Sequence, residues 1–300
     1  MRALPTDGPL NQPVTRNITS AKSLSATDRK RIALTIAGLD PSNGAGVTAD
    51  LQTFAAHGIF GTSAVTALTV QNTLGVAAVE TLPDGLLLRT LEYLFADLPP
   101  IGIKIGMLGA VDLALAVSNF LTVFLPRAGS KSRIPIVFDP ILRSSSGREL
   151  FTATQLEVLH AHLLPTVNWA TPNWQELAAL THLEVRSPEQ AEAAAHHLGK
   201  RHPHLHLAVT AGDSAQPTDI LRLPSGEIHR FAGEHIETTS THGTGCAFSA
   251  ALLSRLIHGD APTEAVASAK HFVAEALRQA PGIGHGRGPL NLLWPLQRAS

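Results

Sequence analysis

Residues 32–58 read IALTIAGLDPSNGAGVTADLQTFAAHG. The first six, residues 32–37, are a short apolar run that stops at Gly38, which is typical of a buried strand. A polar, glycine-rich loop follows, and residues 49–57 then have the pattern of a helix that ends at Gly58. A strand, a loop and a helix in this order predict the first unit of an α/β fold. In such folds ligands bind beyond the carboxyl ends of the strands, which is where this loop lies.

The same alternation continues along the chain. Further strands are predicted at residues 62–70, 101–105, 134–138, 205–209, 220–223 and 228–231, the last two as a hairpin around Pro224-Ser225-Gly226. Helices are predicted at residues 83–98, 111–125, 153–164, 188–197, 245–258 and 263–279. Strands that alternate with helices of 10–15 residues predict a mostly parallel central sheet in a three-layer α/β/α domain.

Residues 1–29 differ from the rest, because they are rich in Thr, Ser, Pro and Asn and have no apolar periodicity. They predict a disordered N-terminal tail in front of a single domain at residues 30–300. A secretory signal requires an apolar stretch near its start, and none is present. The segment contains basic residues, Ser and Thr but only two acids, so an organellar transit peptide is the alternative.

The composition excludes several classes of protein. Of the 300 residues 44% are hydrophobic and 16% are charged, and the formal net charge is −1. Such a chain is neither intrinsically disordered nor a typical nucleic-acid binder. It has no run of 18 apolar residues, so no membrane-spanning helix is expected. The single cysteine excludes an internal disulfide framework and is consistent with the reducing cytoplasm.

The clearest chemical signal is at residues 241–246, which read THGTGC and lead directly into an apolar helix. The loop and the first helical turn offer free N–H groups, and the helix dipole adds positive potential. These features predict an anion hole for a phosphoryl group in transfer. Cys246 is expected at the helix N-terminus, where the pKa of a thiol decreases. The alternative for Cys246 is a buried structural cysteine.

Two acids follow predicted strands: Asp139 directly, and Glu176 shortly after Asn173. Together they predict a site for Mg²⁺, bound directly or through water, because that ion combines few carboxylates with water and phosphate oxygens. Taken singly, each acid is also an ordinary turn or helix-start residue. The histidines at positions 196–206 are expected at the surface, whereas His242 lies in the chemical context described above.

Six segments in order resemble the hydroxymethylpyrimidine/phosphomethylpyrimidine kinases of thiamine biosynthesis, which belong to the ribokinase-like superfamily. The similarity extends from about residue 33 to 293. It is carried by ALTIAGLDPSNGAGVTADLQTFAAHGIFGTSAVTALTVQNTLGV, KIGMLG, VFDPI, TPNWQE, THGTGCAFSAALLSRLIHG and GIGHG. The resemblance implies a ribokinase-like fold, ATP and Mg²⁺ as co-substrate and cofactor, and a homodimer in the cytoplasm.

On the substrate side, the resemblance implies four residues. Gly38 and Asp50 match positions that contact the pyrimidine and its hydroxymethyl group. Gln71 matches a side chain that hydrogen-bonds the ring, for which an amide has both a donor and an acceptor. Met107 matches an apolar wall over the ring. The implied substrate is therefore 4-amino-5-hydroxymethyl-2-methylpyrimidine, and its monophosphate is expected as a second substrate.

On the phosphate side, the resemblance implies that Gly243, Thr244 and Gly245 form the anion hole and that Cys246 is the catalytic base. It also places three residues near ATP and Mg²⁺, namely Asp139, Asn173 and Glu176.

The chain departs from the family pattern at Thr210 and Ser145, where lysines are common. Pyridoxal kinases, which are close relatives, also lack the first lysine. A pyridoxal/pyridoxine kinase is therefore one alternative function. A catalytically degenerate pyrimidine-binding sensor is the other.

Overall fold

One nine-stranded sheet organises the described residues, which in this computed structural model are 31–127, 134–142, 152–212 and 217–297. The strands are β1 Ile32–Leu39, β2 Phe60–Asn72, β3 Gly75–Thr81, β4 Gly102–Ile105, β5 Ile136–Phe138, β6 Trp169–Ala170, β7 His206–Val209, β8 Thr218–Arg222 and β9 Ile228–Ala232. Their order across the sheet is β3-β2-β1-β4-β5-β6-β7-β8-β9. From β2 to β7 all neighbours are parallel, and β3, β8 and β9 are added antiparallel at the two edges.

Helices cover both faces of the sheet. Those described are α1 Gly46–Ala56, α2 Asp84–Asp97, α3 Val111–Arg127, α4 Ala153–Val158, α5 Trp174–Thr181, α6 Pro188–Arg201, α7 Thr244–His258, α8 Pro262–Arg278 and α9 Trp294–Gln297. Side chains of α2 to α6 form one apolar cluster with strand residues such as Leu34 and Ile36. Side chains of α1, α7 and α8 form a second cluster, which includes Ala33. Successive strand residues point to opposite faces, so one strand supplies both clusters. The predicted three-layer α/β/α architecture is confirmed.

The strand order places the site. β1 is followed by β2 on one side, but the chain later returns to place β4 on the other side of β1. The chain thus changes direction between β1 and β4, and such a switch point leaves a crevice beyond the strand ends. The loops that leave β1, β4 and β5 all start at this edge.

The predicted strands are confirmed in place, with ends that shift by a few residues, but four elements were not predicted: β3, β6, α5 and α9. β3 has no fully buried residue, and its weak apolar pattern hides it. Helix α5 has only eight residues, beginning at an Asn173–Glu176 capping box. The helix predicted at 153–164 is α4 continued by a π turn, Leu159–Leu163, and a short 3₁₀ turn, Leu164–Thr166.

The surface placement predicted for the histidines at 196–206 is wrong for His202. Its side chain is buried, and its ring stacks on His160. Within the described ranges, no helix is both long and apolar enough to cross a membrane. The tail predicted at residues 1–29 and Ser145 lie outside the described residues.

Candidate active site

The loop after β1 and the loop before α7 pack against each other at the switch point. Gly243 has a left-handed backbone (φ +87°), and a Cβ there would overlap the carbonyl oxygen of Gly44. A Cβ on Gly44 would in turn lie 2.5 Å from the His242 ring. Both glycines are therefore needed for this close approach. The contact joins the two segments that carry the strongest sequence signals.

Asp40 holds the first of these loops together. Its carboxylate accepts hydrogen bonds from the backbone N–H groups of Ser42, Gly44 and Ala45, and from the Ser42 hydroxyl. It also lies 2.7 Å from Nε2 of His242. Burial alone would raise the pKa of Asp40, but the hydrogen bonds from His242 and Ser42 outweigh it and lower the pKa to about 2. Asp40 is therefore ionised at neutral pH.

Gln71 reaches the same histidine from the end of β2. Its amide nitrogen, Nε2, lies 3.2 Å from Nε2 of His242. Both side chains line a cavity of about 290 Å³, together with the turn after β2 and with Gly286 and Arg287. Gln71 is predicted from the sequence as a site residue, but its contact with His242 is not, because 171 positions separate the two side chains.

Gly38 and Met107 also meet beside this loop. The methyl group of Met107 occupies the space that a Cβ on Gly38 would take. The hydroxyl of Thr66 donates a hydrogen bond of 2.6 Å to the carbonyl oxygen of Met107 and so fixes the loop after β4. A Cβ on Gly46 would overlap the carbonyl oxygen of Gly38, which brings the start of α1 into the same contact.

Cys246 is the third residue of α7, and its side chain is buried. The backbone N–H of Gly46 donates a hydrogen bond to its sulfur. Burial raises the pKa of the thiol to about 12; Lys104 opposes this increase, and Asp139 adds to it. The prediction that the helix N-terminus lowers this pKa is therefore wrong. The macrodipole is a small effect compared with the loss of solvation.

Asp50 has no exposed surface. Both of its oxygens lie 2.9 Å from Nζ of Lys104, and Thr35 donates a third hydrogen bond of 2.5 Å. Its carboxylate therefore belongs to an interior ion pair, and the predicted contact with substrate remains a prediction. Burial raises the pKa of Asp50 despite the charge of Lys104. The sequence analysis missed Lys104, whose signal is a lone lysine inside an apolar strand.

Asp139 follows β5 and lies between the Lys104–Asp50 ion pair and the loop at residues 241–246, which leads into α7. Its carboxylate lies 3.8 Å from Nζ of Lys104 and accepts a hydrogen bond of 3.0 Å from Ser249 of α7. A Cβ on Gly245 would lie 4.0 Å from its oxygens. The start of α7 therefore lies directly over the acid.

Glu176 lies beside Asp139 and caps α5. Its carboxylate accepts the backbone N–H of Asn173, whose side chain accepts that of Glu176 in return. Burial and the charge of Asp139 raise the pKa of Glu176 well above its usual value. Burial likewise raises the pKa of Asp139. The buried Asp139 and the half-buried Glu176 repel each other, and a divalent cation fits between such acids because its charge would relieve the repulsion.

No cluster of three or more His, Cys, Asp or Glu side chains in the described ranges is arranged to hold a metal ion. A site with two carboxylates instead suits Mg²⁺, which takes its other ligands from water and phosphate oxygens. The residues present therefore fit that ion.

A larger cavity, of about 640 Å³, opens at the N-terminus of α7. Thr244 and Gly245 line it on one side, and Thr210 and Gly212 line it after β7. Lys270 of α8 also lines it and forms an ion pair of 2.8 Å with Asp219. The cavity is large enough for a ligand of nucleotide size. It adjoins the loop at residues 241–246, which is predicted from the sequence to bind the phosphoryl group.

The chain is similar to known proteins in both sequence and structure. Residues 40–291 match the family model described as phosphomethylpyrimidine kinase. The chain is 34% identical over 270 residues to the hydroxymethylpyrimidine/phosphomethylpyrimidine kinase of Staphylococcus aureus, covering 88% of this chain and 94% of that protein. It is 37% identical over 264 residues to the thiamine biosynthesis bifunctional protein ThiED of Geobacter sulfurreducens, and this match covers 86% of the chain but only 51% of that protein.

A solved structure is also similar: that of the pyridoxal kinase from Staphylococcus aureus in complex with AMP-PCP and pyridoxal. It superposes with a TM-score of 0.76 and 28% identity, over 88% of this chain and 94% of that chain.

Proposed function

The chain belongs to the phosphomethylpyrimidine kinase family and has a ribokinase-like fold, and from that premise we propose its reaction. It transfers the γ-phosphoryl group of ATP to the hydroxymethyl oxygen of 4-amino-5-hydroxymethyl-2-methylpyrimidine, and then to the monophosphate so formed, in thiamine diphosphate biosynthesis. The supporting observation is the junction at the α7 N-terminus. Thr244 and Gly245 border the larger cavity, while His242, two residues earlier, borders the smaller one with Gln71.

In this proposal the nucleotide occupies the larger cavity. Its terminal phosphates lie at the start of α7, where Gly243, Thr244 and Gly245 offer backbone N–H groups to the transferring phosphoryl group. Such preorganised donors act most strongly where the negative charge develops in the transition state. Lys270 lines the same cavity, where Asp219 balances its charge, and Thr210 occupies the position where the family commonly has a lysine.

Asp139 and Glu176 would hold Mg²⁺. When bound, the ion neutralises phosphate charge and aligns the β- and γ-phosphates. The role of Asn173 in this proposal is indirect, because its side chain fixes the start of the helix that carries Glu176.

On the substrate side, Gln71 binds the pyrimidine ring, and Met107 with Gly38 packs against it. Asp50 acts through Lys104, because the pair leaves no carboxylate oxygen facing a cavity. Cys246 accepts the proton of the hydroxymethyl group in this scheme. A neutral thiol cannot accept a proton, so ligand binding must first lower the pKa of Cys246 from about 12 towards neutrality.

The test is a phosphate-transfer assay with the purified chain, ATP and Mg²⁺. The free pyrimidine and its monophosphate are offered separately, and the mono- and diphosphate products are resolved. We expect both products from the wild type and neither from Asp139→Asn, which preserves the shape of the side chain but removes the charge. Absence of both products from a folded wild type would overturn the proposal.

A pyridoxal kinase is the second candidate, favoured by the similar pyridoxal kinase structure and by Thr210. Pyridoxal is therefore included in the same assay, and kcat/KM for the two substrates is compared. A higher kcat/KM for pyridoxal would show that pyridoxal, and not the pyrimidine, is the main substrate. Pyrimidine binding in calorimetry without any turnover would instead indicate a sensor. The family also implies a cytoplasmic homodimer, for which analytical ultracentrifugation is the test.

A further inference from the structure

One nitrogen of His242 faces two polar side chains. Its Nε2 lies 2.7 Å from an oxygen of Asp40 and 3.2 Å from the amide nitrogen, Nε2, of Gln71. A ring nitrogen either carries a hydrogen or accepts one, so both neighbours must suit the same state.

Asp40 decides that state. Its carboxylate is ionised and buried, and every other hydrogen bond it makes is accepted from an N–H or O–H group. An ionised carboxylate can only accept hydrogen bonds. His242 must therefore carry a hydrogen on Nε2 and donate it to Asp40. This holds whether the imidazole is neutral or charged.

The amide of Gln71 must adapt to this donor. An NH₂ group facing an N–H group is repulsive, whereas a carbonyl oxygen at the same position is attractive. The two orientations of the amide have the same shape, so the hydrogen-bond network decides between them. Here it favours Oε1 towards His242, the reverse of the orientation in the structure, and this turns the NH₂ group of Gln71 to the opposite side.

We propose that Asp40 and His242 are positioning residues that make Gln71 a hydrogen-bond donor towards the substrate. This inference rests on the proposed function, in which Gln71 binds the pyrimidine. It predicts that the site selects a ring that presents an acceptor, such as an unprotonated ring nitrogen, to this amide. Gly44 takes part indirectly, because any side chain there would displace the His242 ring from Asp40.

Three variants of Gln71 separate the two polarities. Gln71→Met has similar length and neither donor nor acceptor, Gln71→Glu has the same shape and only acceptors, and Gln71→Ala removes the group. If Gln71 donates to the ring, Glu is no better than Met, and both raise the KM for the pyrimidine by up to about tenfold. The KM for ATP stays unchanged. If Glu retains a near wild-type KM while Met does not, the amide accepts from the substrate and the proposal is wrong.

A double-mutant cycle tests the positioning role of His242. His242→Phe preserves a ring in the same space but removes the donor, so Gln71 can turn over. We expect the KM for the pyrimidine to rise several-fold in the wild-type background and to stay constant in the Gln71→Met background. Additive effects in the cycle would show that His242 does not act through Gln71.

The readout is calorimetric binding of the pyrimidine as well as steady-state kinetics. Binding without turnover in the wild type would overturn the proposed kinase activity, yet the same variants would still decide the polarity of Gln71. An active wild type whose Gln71→Glu variant binds normally would overturn only this inference.

Discussion

Four ionisable side chains lie together behind the loop that precedes α7: Asp50, Lys104, Asp139 and Cys246. All four are buried, and the charge of Lys104 interacts with each of the other three. Among them the Lys104–Asp50 pair is completely enclosed. Removing one partner of such a pair leaves the other charge uncompensated in a medium that solvates it poorly.

We therefore expect Lys104→Met to decrease the free energy of unfolding by about 3–5 kcal/mol. Adding Asp50→Asn to the same chain should recover part of this loss, because the orphaned charge is removed. Urea denaturation is the measurement. The control is Arg201→Met, which breaks an exposed pair with Glu157 and should cost at most about 1 kcal/mol. Equal losses in the two single variants would contradict the assigned energetics.

Cys246 is the only cysteine, which makes its reactivity simple to read. With a pKa of about 12 and a buried sulfur, fewer than about one in 10⁴ molecules carries the thiolate at pH 7.5. We expect iodoacetamide to modify the ligand-free native protein very slowly, as followed by mass spectrometry. The same protein unfolded in guanidinium should react rapidly. Fast modification of the native form would refute the raised pKa.

The kinetic role of Cys246 needs a separate measurement. If ligand binding activates the thiol as a base, Cys246→Ser should lower kcat by about 10²–10⁴, and Cys246→Asp should retain some activity. A near wild-type kcat of Cys246→Ser would show that the thiol is not the base and that this loop contributes only through its backbone N–H groups.

One substitution separates the observed role of Glu176, the cap of α5, from its proposed role in binding Mg²⁺. Glu176→Gln removes the charge but leaves a side-chain oxygen to accept the N–H of Asn173, so the cap of α5 is preserved. We expect activity to require a several-fold higher Mg²⁺ concentration, because Asp139 remains as the only carboxylate of the pair. Overlapping Mg²⁺ titrations of the variant and the wild type would remove Glu176 from the metal site.

Among the secondary-structure elements, α7 is positioned by the contact of Gly243, at its N-terminus, with Gly44 in the loop after β1. Its N-terminal loop reaches the loop after β1 only because Gly243 has no side chain. The two loops carry the proposed anion hole and the hydrogen-bond network that leads to Gln71. A small displacement between them therefore changes the placement of both substrates.

Gly243→Ala should lower kcat/KM by about 10²-fold, the typical effect of a displacement of about 1 Å in an active site. The control is Gly259→Ala at the other end of α7. Gly259 has a similar left-handed backbone (φ +94°), but a Cβ there meets nothing within 4 Å. It should cost about 1–2 kcal/mol of stability and leave kcat/KM unchanged. Equal activity of the two variants would show that the loop contact is unimportant.

At the scale of the whole molecule, buried histidines couple stability to pH. His160 and His202 hydrogen-bond each other at 3.0 Å and stack between the π turn after α4 and the end of α6. Burial lowers the pKa of both, and that of His202 to about 4. The unfolded chain therefore binds more protons than the folded one between pH 6.5 and about 4, so this pair loses stability as the pH decreases through that range.

His202→Gln isolates this contribution. Between pH 7.5 and pH 5 the wild type should lose about 2 kcal/mol more unfolding free energy than the variant, as measured by urea denaturation at both pH values. His196→Gln, on the exposed side of the same helix, should behave like the wild type. Identical pH dependence of the wild type and His202→Gln would contradict a neutral buried histidine.

Much of the fold follows from local patterns. Alternating apolar runs and helical spacings predicted the α/β layers, since each element must bury one side against its neighbours. Where the pattern is weak, prediction failed. β3 is an edge strand without a buried residue, so its apolar pattern is weak. Helix α5 buries Leu177 and Leu180 on one side, but its eight residues are too few for the periodicity to stand out.

The sequence alone determined the α/β alternation and singled out the two glycine-rich loops in which the chemistry is proposed, because ligands of such folds bind beyond the carboxyl ends of the strands. Only the tertiary structure decided how the side chains pair. Asp40 and His242 are 202 positions apart, and Lys104 and Asp50 are 54 apart. It also decided that Asp50 is enclosed and that the pKa of Cys246 is raised rather than lowered. Solvation and charge depend on everything packed around a group, and that environment is assembled from all parts of the chain.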